Sequence, residues 1–160
     1  VLGKTNEAEE ALRVALQINP EWVPALANLA DIYRATGRDV DGGILLERAR
    51  KLVPEDADVA MARGLWLVRQ NRQADALAEF AAAVSLAPQS VYPAYIYAVA
   101  LHDAGRSEQA LSVLEGALAR RPVDVQLLEA AFSIARDVGE TAKARAYYDR
   151  LQQGGGPQSR

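Results

Sequence analysis

Cysteine is absent from all 160 residues, so disulfides, thiolate metal sites and covalent haem attachment are excluded within this segment. Redox chemistry therefore says nothing of the compartment. Aromatic residues make up only 6% of the chain while half of it is hydrophobic, with much alanine, a balance that suits close-packed helices better than a sheet sandwich. No apolar run approaches the roughly 20 residues of a membrane span, and no signal peptide opens the chain. Lysine and arginine are not clustered. A net charge of −3 with interleaved signs argues against a nucleic-acid face, which needs massed cations. Metal-ligand spacings, a P-loop and nucleotide-binding glycine patterns are all missing. Histidine occurs once, at His102, so convergent acid–base chemistry lacks its usual participant, and neither an enzyme nor a cofactor is expected.

Against these absences stands one strong regularity. Pro20, Pro54, Pro88 and Pro122 follow one another at intervals of 34 residues. A fixed period of this length marks stacked repeats rather than one globular core. With each proline at position 32, full units span 23–56, 57–90, 91–124 and 125–158, and 1–22 is the second half of an earlier unit. Position 20 reads Ala8, Gly42, Ala76, Ala110 and Ala144; position 24 reads Leu12, Leu46, Phe80, Leu114 and Tyr148; position 27 reads Ala15, Ala49, Ala83, Ala117 and Leu151. These lie at i, i+4 and i+7, one stripe of a helix. A glycine recurs at position 15 as Gly3, Gly37, Gly105 and Gly139, with Asn71 the exception, and Asn best replaces Gly where φ must be positive. Each unit therefore reads as a helical hairpin, closed by the glycine and stopped by the proline, whose remaining apolar face only the next hairpin can bury.

The columns resemble the tetratricopeptide repeat, whose pattern is W-x2-L-G-x2-Y, then A-x3-F, then P. Gly64, Leu67, Ala76, Phe80 and Pro88 carry the resemblance in one unit, and Leu29, Ala30 and Tyr33 in the one before. It implies an all-α, right-handed superhelical solenoid of antiparallel helix pairs: half a repeat over 1–22, repeats over 23–56, 57–90, 91–124 and 125–153, and a disordered tail over 154–160.

Departures from the pattern carry their own expectations. Arg63 stands at a normally apolar position and should snorkel outward. Phe132 replaces a small residue, so the last hairpin should open or repack. Gly42 and Gly43 adjoin inside a helix at roughly 1 kcal/mol each relative to Ala, which should make that helix the softest. Arg145 and Gln152, where the two preceding units carry Leu77 with Val84 and Leu111 with Leu118, give the last helix the polar face of a terminal cap. The front lacks one, so Val1 should fall within a longer protein, with Trp22 plugging the open end and the first helix prone to self-association.

In this family the inner wall is built by first-helix positions 2, 5, 9, 12 and 13. The resemblance assigns Asp31, Arg34, Met61, Leu65, Val68, Arg69, Tyr92, Tyr95, Val99, His102, Asp103, Glu129 and Arg136 to a peptide-binding face, apolar and aromatic at its middle with charges flanking it. The carboxylate grip of co-chaperone repeats is missing, since Ala27, Asp31, Ala62, Tyr92 and Ile96 stand where its cations and amides belong. The implied function is a non-catalytic scaffold for a protein or peptide partner, without nucleic acid or membrane insertion, in the cytoplasm or periplasm. A second resemblance, of 64–70 and 95–102 to C-terminal repeats of bacterial multihaem cytochromes, would imply a structural domain of a periplasmic protein.

Overall fold

The computed structural model describes residues 2–154, and the side chains of 4–153. Among the described residues every regular element is an α-helix: α1 (Leu2–Ile18), α2 (Val23–Ala35), α3 (Asp39–Leu52), α4 (Ala57–Arg69), α5 (Gln73–Leu86), α6 (Val91–Asp103), α7 (Ser107–Arg120), α8 (Val125–Asp137) and α9 (Thr141–Gly154). The helices pack as pairs, α2 with α3, α4 with α5, α6 with α7 and α8 with α9. They fall into two compact units that divide between Leu86 and Ala87. In the first, α1 lies against α2 and α3 against α4; in the second, α6 and α7 both meet α8.

The periodic residues make the punctuation. α1, α3, α5 and α7 each end two residues before their proline, because the residue preceding proline is driven out of the helical region. Between the helices of a pair the chain turns through positive φ at Gly37 (78°), Asn71 (57°), Gly105 (74°) and Gly139 (78°). The next residue's N–H then reaches back to the last turn of the first helix, as in Arg38 to Tyr33 (2.7 Å) and Arg106 to Leu101 (2.8 Å). Asn71 thus takes the glycine role expected of it. Asp56 and Asp124 cap α4 and α8, accepting from the amides of Val59 (2.9 Å) and Leu127 (3.1 Å).

The core is the predicted stripe. Gly42, Ala76, Ala110 and Ala144 are buried, as are Leu46, Phe80 and Leu114 four residues on. Gly64 makes room for Phe80: a Cβ there would stand 2.5 Å from the phenyl ring.

Several expectations are corrected. Gly3 lies inside α1, which begins at Leu2, so the turn expected at this glycine does not form. Trp22, the expected plug, is 46% exposed, and its carbonyl starts α2 by accepting from Ala25 and Leu26. Arg63 does not snorkel. It donates to Glu47 (2.8 Å) and Glu79 (2.6 Å), and Glu79 also accepts from Arg50 (2.8 Å), so four charges tie α3, α4 and α5 together. Burial opposes the Arg63 cation, but the hydrogen bonds and charges of the two carboxylates raise its pKa further. Phe132 repacks the last pair: its ring meets Tyr148 at 5.9 Å and leaves that tyrosine 48% exposed, while Tyr147 takes the buried place and donates to Glu115 (2.8 Å). α9 continues to Gly154, the first residue of the expected disordered tail; the rest of that tail lies outside the described residues.

Candidate functional site

The assigned face residues sit on α2, α4, α6 and α8, and the structure sorts them by what they touch. Met61 is only 5% exposed and belongs to the core, so it supports the face rather than lining it. Leu65 is half-buried and Val68 is 47% exposed. On α6, Tyr92 is 49% exposed, while Tyr95 and Val99 are half-buried, a spacing of 3 and 4 residues that keeps all three on one stripe. Aromatic surface held on a rigid helix has few rotamers to lose on binding.

The charges divide into two groups. Arg34 pairs with Asp31 (3.2 Å). Arg69 donates to Asp39 (2.8 Å), and Arg136 pairs with Asp137 (3.1 Å) with its guanidinium 5.8 Å over the Phe132 ring. In contrast, Asp58, Asp103 and Glu129 are exposed and have no ion-pair or hydrogen-bond partner among the described residues. His102 is half-buried at the end of α6; its Nδ1 lies 2.8 Å from the Ser107 hydroxyl at the start of α7, and its Nε2 3.9 Å from Asp137 on α8. The Asp137 separation exceeds a hydrogen bond. His102 therefore joins the end of α6 to the start of α7 through Ser107, with Asp137 of α8 nearby.

Asp39, which sequence reasoning passed over, is a hub within the first unit. Its carboxylate accepts from Arg69 and from Gln70 (2.8 Å), and its carbonyl accepts from the Trp66 indole (3.0 Å). The Arg69 hydrogen bonds hold its pKa below the usual carboxylate range, against burial that would raise it. Trp66 is accordingly a packing residue lying over Gly43. A cleft of about 590 Å³ lies at the turns of the second unit, between Ser107, Glu108, Val138, Glu140 and Lys143.

Sequence models of the tetratricopeptide repeat match residues 2–65, and again residues 44–91 and 97–159. The chain belongs to the tetratricopeptide repeat family. No curated protein aligns significantly with it. Among solved structures it is similar to MamA, at 17% identity and a TM-score of 0.81 over 95% of this chain and 89% of that one. MamA from MSR-1 shares 23% identity at 0.74 over 96% and 88%, and MamA from AMB-1 22% at 0.77 over 98% and 87%. These likenesses establish the fold. None of these names a cytochrome, so the second resemblance rests on sequence alone. A tetratricopeptide array is a protein–protein interaction scaffold, and such scaffolds are generally non-catalytic. No helix among the described residues is long and apolar enough to cross a membrane.

Proposed function

We propose that this tetratricopeptide array holds a peptide or helix of a partner protein against its first-helix face, with the α6 stripe of Tyr92, Tyr95 and Val99 as the anchor. The observation that carries this reading is Tyr92, a large ring left 49% exposed beside Tyr95 on a helix whose opposite side is fully packed through Ala94, Ala98 and Leu101. Aromatic side chains so placed dominate binding energy at interfaces. The test is to recover partners with the intact chain and compare its affinity for them with that of the Tyr95→Ala variant. A loss of about 1–3 kcal/mol is expected from calorimetry. Unchanged affinity in a folded variant would remove α6 from the interface.

A further inference from the structure

The charges on this face have a sign that the composition conceals. At the five face positions of α6 and α8 stand three carboxylates, Asp103, Glu129 and Asp137, against one guanidinium, that of Arg136. Arg136 is held by Asp137 at 3.1 Å and lies over Phe132, while Asp103 and Glu129 are exposed with no partner among the described residues. The other arginines of the second unit offer no relief where their contacts are seen: Arg120, Arg121 and Arg150 donate to the carbonyls of Pro88, Gln89 and Pro122. The first unit follows the same rule, with Arg34 and Arg69 both paired and Asp58 free. The face is therefore apolar and aromatic at α6 with uncompensated negative charge beside it.

We infer that the partner of this face is cationic, a segment carrying Lys or Arg next to aliphatic residues, an inference that rests on the docking reading above. Three physical effects favour that occupant over an acidic or neutral one. Free carboxylates steer and hold opposite charge while repelling like charge. The exposed faces of Tyr92 and Tyr95 attract an ammonium or guanidinium through the ring quadrupole. Lysine and arginine stems also lie along apolar surface while their heads reach the carboxylates.

The experiment is selection of peptides of about 12 residues from a random display library on the full chain, with the Tyr95→Ala chain used to discard binders indifferent to α6. Recovered peptides are then titrated by fluorescence anisotropy at about 50 and 300 mM salt, a range over which surface attraction is progressively screened. Enrichment of Lys and Arg beside Leu, Ile or Phe is expected, with affinity falling several-fold at the higher salt. It should also fall about tenfold or more in a chain carrying Asp103→Lys and Glu129→Lys, both at exposed positions, and by less with Asp103→Asn and Glu129→Gln. Tyr95-dependent peptides without cationic enrichment, or with acidic enrichment, would overturn the charge inference and leave the docking reading in place. Recovery of no Tyr95-dependent peptide would overturn both.

Discussion

Replacing Gly43 by alanine sets two well-measured effects against each other within α3. Helix propensity alone predicts a gain of about 1 kcal/mol, because glycine in a helix interior forfeits backbone entropy. The packing predicts the reverse. A Cβ on Gly43 would stand 2.2 Å from Cε2 and Cζ2 of Trp66 and 2.6 Å from its Nε1, well inside van der Waals contact. The indole is rigid and is held by its hydrogen bond to the Asp39 carbonyl at 3.0 Å, so it must swing away or α3 and α4 must separate. Overpacking of this kind costs about 1–3 kcal/mol, and loss of the indole hydrogen bond adds about 1 kcal/mol. Packing wins, and Gly43→Ala should destabilise by about 1–3 kcal/mol. At roughly 2–4 °C per kcal/mol for a chain of this size, the melting temperature should drop by several degrees.

The matched control is Gly116→Ala in α7, where a Cβ would meet nothing within 4 Å and the full propensity gain of about 1 kcal/mol should appear. Urea unfolding followed by circular dichroism, with Trp66 fluorescence as a local probe, measures both. A double variant carrying Trp66→Ala should convert Gly43→Ala from loss to gain, a coupling of about 1–3 kcal/mol between contacting residues. If Gly43→Ala stabilises the chain as much as Gly116→Ala does, the account of α3 is wrong.

Other outcomes follow from the charges and rings. Asp39 has a depressed folded pKa, so its contribution is present above the ordinary carboxylate pKa of about 4 and is lost as pH falls through the folded value. The melting-temperature gap between the native chain and Asp39→Asn should therefore be widest above about pH 5 and close towards pH 3; a gap independent of pH would refute this. Arg63→Ala strands Glu47 on a half-buried helix face, leaves Glu79 with Arg50 alone, and should cost about 2–3 kcal/mol in urea unfolding, whereas Arg63→Met should recover part of the loss. Tyr147→Phe removes the hydrogen bond to Glu115 but keeps the ring in its buried place, so a loss near 1 kcal/mol is expected from the same measurement.

The helical period was legible because it is enforced locally. Proline at position 32 and glycine or asparagine at 15 act through their own φ and missing N–H, and the structure uses them where the columns placed them, except at Gly3. The buried stripe was legible for the same reason, since 3.6-residue spacing is a property of the helix itself. What misled was occupancy in depth. Met61 shares its position with half-buried Ala27 and Tyr95 and exposed Glu129 in other units, yet lies in the core. The close packing at Gly42 and Gly43 was equally hidden, because the atoms that fill the space beside them belong to Trp66 and Ala30 on neighbouring helices.

The charges had a signal, and it lies in the period. Glu9 and Arg38 are separated by 29 residues, Arg50 and Glu79 by 29, Asp39 and Arg69 by 30, and Glu115 and Tyr147 by 32. Each separation falls slightly short of the 34-residue repeat: three of the links join the second helices of neighbouring units or their caps, and the fourth joins the start of α3 to the end of α4. Searching each arginine for a carboxylate about 29–32 positions away would have found three of these four links before any coordinates existed, the fourth being a tyrosine to a carboxylate. Among the described residues the face carboxylates Asp58, Asp103 and Glu129 have no in-chain partner, while Arg69 is already occupied. In a repeat array whose neighbours are bridged by arginine, unpaired acid on the binding face is what remains available to an outside cation.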